Sequence, residues 1–98
     1  MTTATGGTMA AVVLHANDDV AVLIRPVTAG ERIAVGGARG TLSLRVAADL
    51  PLGHKVALRP LASGADVRKY GEVIGRLTAE VDVGGHVHIQ NLTSLRAH

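Results

Sequence analysis

The sequence predicts a small, mainly β domain, and three observations support this fold class. Hydrophobic residues make up 47% of the 98 residues, but there is a single aromatic residue, Tyr70. The core must therefore consist of Val, Leu, Ile and Ala, and the β-branched members of that set favour strands. In addition, one short turn-and-strand unit recurs four times, and no segment has a convincing length of helical periodicity.

The recurring unit is an apolar residue, two spacers, a glycine, two further spacers, and Val or Ile. Glycine adopts positive φ at little cost, so each unit predicts a tight turn that leads the chain into a strand. The spacing between copies is too irregular for a solenoid, which has a constant period. The four copies cover residues 27–33, 50–56, 61–67 and 81–87.

Further strands are predicted between these turns. Residues 11–15 and 20–25 form the first two, separated by a polar turn or N-cap cluster. Residues 41–46 alternate apolar and polar side chains, and residues 72–81 continue as a strand in which Gly75 marks a bulge or a close backbone approach.

Helix is predicted to be scarce. A single helical turn is an alternative for residues 17–22 and for residues 44–50. Gly36 and Gly37 are expected to lie in the most flexible loop. The predicted organisation is a flexible N-terminus over residues 1–9 and one β domain over residues 10–98.

Composition excludes several classes of protein. Ten basic and eight acidic side chains are scattered, so neither a nucleic-acid-binding stripe nor a base-stacking aromatic surface is expected. The absence of cysteine excludes disulfides and thiolate metal sites within the sequence. Apolar runs of about five residues are far too short to span a membrane, and residues 1–7 do not resemble a secretory signal. A cytoplasmic location is expected.

Two histidines are candidate metal ligands. His86 and His88 flank Val87, so both imidazoles face outward together if Val87 points into the core. Such a pair can bind a metal with a third ligand from elsewhere, and the alternative is a pair of solvated surface histidines.

A second polar cluster spans residues 68–72, with two cations, a phenol and a carboxylate around Gly71. It can hold a carboxylate-bearing ligand through charge-assisted hydrogen bonds, or it can be an ordinary charged turn with Tyr70 covering the edge of the core. The pair His54 and Lys55 has the same two interpretations. His15 fits a polar turn, and a histidine at a strand end is also a candidate acid or base.

Several longer motifs resemble the N-terminal SAF domain of the altronate/galactarate dehydratase family. They are Gly-His-Lys-Val-Ala-Leu at residues 53–58 and Lys-Tyr-Gly-Glu-Val-Ile-Gly at residues 69–75, together with an opening motif at residues 14–22 and a closing motif at residues 85–92. The match follows the family's order from about residue 13 to residue 92. Two positions depart from the family pattern: Gln90 replaces a second histidine of the closing motif, and Asp19 replaces an asparagine of the opening motif.

The resemblance implies a β-clip fold and the dehydration of a sugar acid to a 2-keto-3-deoxy acid, with a divalent metal such as iron or manganese. Family members are one long polypeptide or a small and a large subunit, so the implied partner is a large dehydratase subunit or domain; a homo-oligomer is a further alternative. A sister branch eliminates sulfite from sulfolactate, and a non-catalytic SAF binding or assembly module is the remaining alternative.

Within this resemblance, each candidate residue has an expected role. Lys55 and Lys69 would hold a substrate carboxylate, and His15 or His88 would bind metal or move a proton. Tyr70 or Glu72 would position these groups. Because His86, His88 and His15 supply at most a partial metal shell, the isolated chain is expected to be inactive and to bind no metal tightly.

Overall fold

The computed structural model describes residues 9–88 and 91–94, which contain nine strands and no helix. The predicted mainly β fold class is confirmed. In this part of the chain no helix is long and apolar enough to cross a membrane. The strands are β1 (Met9–Val13), β2 (Val20–Leu23), β3 (Arg32–Gly37), β4 (Leu42–Arg45), β5 (Lys55–Ala57), β6 (Asp66–Lys69), β7 (Glu72–Leu77), β8 (His86–Val87) and β9 (Leu92–Ser94).

The strands form two sheets. Six strands lie in the order β4-β3-β1-β2-β5-β8, and three lie in the order β6-β7-β9. The pair β1–β3 is parallel, and the other described strand pairs are antiparallel. This small, curled, all-strand architecture is consistent with the β-clip fold that the resemblance implies.

Two apolar clusters form the core, and the second joins the two sheets. The first lies within the larger sheet, where Leu42, Leu44 and Val46 contact it from one side of β4, as their alternation predicted. The second contains residues from β2, β5 and β8 together with residues from β6 and β7, so the edge of the larger sheet packs against the smaller one. Its buried members are Val20, Ala57, Leu61, Val67, Leu77, Val81 and Val87.

The fourfold repeat is confirmed as four equivalent turns. The first residues of the units pair in two isolated bridges, Val27 with Leu50 and Leu61 with Val81. The central glycine of every unit has φ between 80° and 91°, and its N–H donates to a carbonyl oxygen of another segment. In every unit a tight turn then leads into a strand; the four glycines are Gly30, Gly53, Gly64 and Gly84.

Several predicted boundaries are wrong, and the repeat explains two of them. Before each turn the chain bends for two residues, so β2 ends at Leu23 and β7 ends at Leu77, two and four residues earlier than the apolar pattern indicated. Val81 is therefore the bridge residue of the next unit and no part of a strand. Neither helical alternative forms, because residues 17–22 turn into β2 and residues 46–50 leave β4 through a bend.

The glycine predictions have mixed outcomes. Gly36 and Gly37 belong to β3, where the backbone of Val13 occupies the space that a side chain on Gly37 would need, so their placement in a flexible loop is wrong. Near Gly75 the pairing register between β6 and β7 shifts, and a side chain there would meet the carbonyl oxygen of Thr93 at 2.5 Å. The predicted bulge and close approach are both confirmed.

Of the predicted flexible N-terminus, residues 1–8 lie outside the described residues, and Met9 begins β1.

Candidate functional site

The β6–β7 turn is anchored by a buried carboxylate. Asp18 is 2% exposed, and it accepts hydrogen bonds from the backbone N–H of Tyr70 at 3.0 Å and of Gly71 at 2.7 Å. Tyr70 is the only described non-glycine residue with positive φ, at 58°. A bulky residue in this left-handed conformation is strained, and such strain persists where surrounding contacts impose it. Asp18 supplies those contacts.

Asp19 joins the same turn region to the larger sheet. Its carboxylate accepts a hydrogen bond from the backbone N–H of Arg68 at 2.8 Å and forms an ion pair with Arg59 at 2.7 Å. Its backbone N–H also donates to the carbonyl oxygen of Arg68 at 3.0 Å. The charge that Asp19 adds relative to the family's asparagine is therefore matched by a guanidinium.

His15 lies against this turn. Its Nδ1 accepts a hydrogen bond from the backbone N–H of Asn17 at 3.0 Å, so the neutral ring carries its proton on Nε2. A Cβ atom at Gly71 would lie 2.9 Å from the imidazole ring, so only glycine allows this approach. His15 is thereby held beside Tyr70 and Gly71 with a defined tautomer.

The side chain of Tyr70 projects outward and is 63% exposed, so the interpretation of Tyr70 as a cover over the core edge is wrong. The ammonium of Lys69 lies 4.9 Å from the centroid of its ring, within the range of a cation–π contact. Glu72, the cross-strand partner of Lys69, is also exposed. The turn therefore presents a phenol, an ammonium and a carboxylate to the outside.

Three histidines form a second cluster on the β5–β8 edge. Nδ1 of His54 lies 2.8 Å from Nε2 of His86, at hydrogen-bond distance. The rings of His54, His86 and His88 stack, with centroids 4.5–5.1 Å apart and planes within 30° of parallel. Val87 between the last two is fully buried, which confirms the prediction that His86 and His88 share one face.

The surroundings of two of these imidazoles, His86 and His88, disfavour their charged form. Burial lowers the pKa of His86 and of His88, and the neighbouring charges of His54 and Lys55 lower both further. Burial also lowers the pKa of Lys55, and the charge of Lys69 adds to that effect. Lys55 and Lys69 therefore act on one another and link the histidine cluster with the β6–β7 turn.

The histidines fit the divalent metal that the resemblance implies. One nitrogen of each ring can be chosen so that all three atoms lie within 4.8 Å of one another. Nδ1 of His88 is buried without a hydrogen-bond partner among the described residues, so it has a lone pair or a proton to satisfy. Neutral imidazole is a common ligand of zinc, iron and copper.

The structure brings most of the sequence candidates into two neighbouring groups. His15, Tyr70 and Lys69 meet at the β6–β7 turn, and Lys55 pairs across the strands with Val87, between His86 and His88. Glu72 stands at the start of β7, next to the turn. Gln90, where the sequence departs from the family, lies outside the described residues.

Three contributing residues were absent from the predicted site: Asp18, Asp19 and His54. Asp18 and Asp19 were interpreted as turn residues. Two adjacent carboxylates directly before a buried strand each need a hydrogen-bond partner, and this requirement could have identified them. His54 had been noted beside Lys55, but its approach to His86, 32 residues later, depends on the pairing of β5 with β8. Local spacing carries no signal for such a contact.

Comparison with known proteins gives a consistent family. Residues 9–95 match the model of the altronate/galactarate dehydratase SAF domain. A (2R)-sulfolactate sulfo-lyase subunit alpha from Chromohalobacter salexigens is 36% identical over 88 residues, which cover 86% of this chain and 94% of that protein. The corresponding subunit from Paracoccus pantotrophus is 49% identical over 53 residues, covering 54% of this chain and 79% of that protein.

Altronate dehydratase of Escherichia coli K12 is also similar, at 41% identity over 78 residues. The match covers 80% of this chain and only 15% of that dehydratase, so the chain corresponds to a small part of the larger enzyme. The family model and the relative from Chromohalobacter each match most of the chain. The chain belongs to the family of altronate/galactarate dehydratase SAF domains.

Proposed function

We propose that this chain is the small subunit, or the SAF domain, of a lyase that dehydrates a sugar acid, and that it acts with a large catalytic partner. The observation that carries the proposal is a pair of lysines that act on one another and have no acidic partner among the described residues. In the part of the chain that the structure describes, the three ion pairs involve other residues, and Lys55 and Lys69 take part in none of them.

The two lysines suit a carboxylate. Burial and the charge of Lys69 disfavour the charged form of Lys55, and the opposite charge of an incoming carboxylate would offset both effects. Charge-assisted hydrogen bonds from ammonium groups to a carboxylate are about twice as strong as neutral ones. In this proposal Lys55 and Lys69 bind the acid group that every substrate of such a lyase carries.

The elimination needs groups that neutralise charge. A base removes the proton from the carbon beside the carboxylate, and the negative charge that develops must be stabilised while the leaving group departs from the next carbon. The ammonium groups of the two lysines would stabilise that charge, and the Nε2–H of His15 and the phenol of Tyr70 would be proton donors at the turn. A divalent metal, iron or manganese, held by His54, His86 and His88 would supply Lewis-acid stabilisation of the same charge.

A second candidate is the alpha subunit of a sulfolactate sulfo-lyase. Sequence identity favours it: one such subunit is 49% identical over 53 residues, and an altronate dehydratase is 41% identical over 78 residues. Elimination of sulfite needs the same carboxylate binding and the same charge stabilisation, with a different leaving group. A cytoplasmic location belongs to the proposal in either case.

Reconstitution tests the function. The chain is combined with a large subunit of the same family from the source genome, and formation of 2-oxo acid is measured with altronate and galactarate, and release of sulfite with sulfolactate. The expected result is turnover of one of these acids with both proteins and none with the chain alone. Full activity of the large subunit without this chain would overturn the proposal and leave an assembly module.

A further inference from the structure

We propose that His54, His86 and His88 form a site for a divalent transition metal that is complete within this chain. Two histidines from the closing motif alone would give a partial shell, and the expectation that the isolated chain binds no metal tightly depends on that partial shell. His54 adds a third imidazole from the neighbouring strand, so three protein ligands converge without a contribution from a partner. This proposal concerns metal binding by the isolated chain. It can therefore be wrong while the proposed lyase function is right, and it can be right while the lyase function is wrong.

The distances are close to those of a bound site. Zinc–nitrogen bonds of about 2.0–2.1 Å place the nitrogens of a tetrahedral site about 3.3 Å apart. The His54–His86 pair is already at 2.8 Å, and the three ligand atoms span at most 4.8 Å. The rings lie within 30° of parallel, so they must turn to direct their lone pairs at one point. The χ2 torsion of histidine has broad minima that allow this rotation.

The backbone under the site is fixed on both sides. The side-chain oxygen of Asn91 accepts a hydrogen bond from the backbone N–H of His88 at 3.0 Å, and its amide nitrogen donates to the carbonyl oxygen of His86 at 2.8 Å. The carbonyl oxygen of His54 accepts from the N–H of Leu23 at 2.8 Å. The ligands are therefore held at a constant separation, and only their rings need to move.

An unsatisfied nitrogen points to a missing ligand. Nδ1 of His88 is buried without a partner in the described part of the chain, and a buried polar atom is normally hydrogen-bonded. With the ring of His88 turned, a metal held by the cluster would give this nitrogen a partner, and it would account for three partly buried imidazoles packed together. Structural zinc sites have four protein ligands, whereas three protein ligands leave a position open.

Lys55 makes the affinity of this site depend on anions. Lys55 is the cross-strand partner of Val87, which lies between His86 and His88, so its charge opposes a cation bound by these histidines. An anion in the open coordination position, such as a carboxylate, would relieve that repulsion. Replacing Lys55 with an uncharged side chain of similar length should therefore strengthen metal binding when no such anion is present.

The test is direct metal binding by the purified full chain. Isothermal titration with Zn²⁺ in a buffer that does not chelate metals should give one ion per chain, and Co²⁺ should give visible absorption of a nitrogen-ligated site. His54→Gln and His88→Gln should each weaken Zn²⁺ binding by at least about 100-fold, since even the loss of an outer-sphere partner costs 10- to 100-fold. Asp66→Asn, an exposed carboxylate outside the cluster, should change it less than about threefold.

Lys55→Met separates loss of the site from loss of the fold, because its predicted effect has the opposite sign: tighter Zn²⁺ binding in the absence of carboxylates. Backbone amide spectra confirm that each variant is folded. Absence of one-to-one binding by the unmodified chain would overturn the proposal. So would a folded His54→Gln variant that keeps the original affinity, or equal losses in His54→Gln and Asp66→Asn.

Discussion

Replacement of Asp18 by alanine should destabilise the domain strongly, although Asp18 lies outside both apolar clusters. Its buried carboxylate accepts two backbone hydrogen bonds from the β6–β7 turn, at 2.7 and 3.0 Å. A hydrogen bond to a charged group contributes about 1.5–3 kcal/mol, and water can reach part of this turn, so the loss should be about 3 kcal/mol in total. For a domain of this size that corresponds to a fall in Tm of about 12–24 °C.

Thermal and urea denaturation of Asp18→Ala measure this loss, and two further variants calibrate it. Asp18→Asn keeps one acceptor oxygen but presents an amide N–H₂ to the second donor, so it should lose about half as much. Asp66→Ala removes an exposed carboxylate paired with Arg76 and should change stability by less than about 0.5 kcal/mol. If Asp18→Ala and Asp66→Ala lower Tm equally, the anchoring role of Asp18 is refuted.

Three further predictions concern backbone strain and charge. Tyr70→Gly should raise the free energy of unfolding by about 0.5–1 kcal/mol, because glycine removes the strain at φ 58°; a loss of stability in urea denaturation would contradict this. Gly84→Ala should cost at least about 3 kcal/mol, because the new Cβ would overlap a carbonyl oxygen at the end of β4, whereas Gly53→Ala, with open space around it, should cost clearly less in the same assay. The guanidinium of Arg25 holds the pKa of Glu31 below its ordinary value of 4.5, so this contact stabilises the fold above that pH and the stabilisation is lost as the pH falls through the lowered pKa. Glu31→Gln should therefore flatten the dependence of Tm on pH below about 4.5. If the variant and the unmodified chain lose Tm equally steeply below that pH, the contact does not stabilise the fold.

The repeat explains why the fold was predictable from the sequence. Each copy combines an apolar bridge residue, a glycine at positive φ and a strand residue that points into the core, and all three requirements are local. The mainly β class and the four turns follow from them. The bridges themselves also explain the errors at strand ends, since a paired residue after a bend has the same apolar character as a strand residue.

The candidate site was less accessible to sequence reasoning because its contacts are long-range. Asp18 reaches a turn 52 residues later, and His54 reaches His86 across a strand pair that joins distant segments. Motif resemblance identified Lys69, Tyr70 and His88 without these partners. The prediction for Gly37 failed for the same reason. Its glycine is required by the backbone of Val13 in the parallel neighbouring strand, a long-range contact, and a flexible loop is not the cause.

The central claim is that the β6–β7 turn of this chain contacts the substrate of a larger lyase. The most direct measurement is kcat/KM of the reconstituted enzyme carrying Lys69→Ala, with Arg32→Ala, an exposed cation on β3, as the matched control. Loss of one charged hydrogen bond to the substrate carboxylate should reduce transition-state stabilisation by about 1.5–3 kcal/mol, which lowers kcat/KM roughly 10- to 150-fold. Assembly with the large subunit and Tm should not change. Arg32→Ala should leave kcat/KM within about twofold. Equal kcat/KM for Lys69→Ala and the unmodified enzyme would contradict the account.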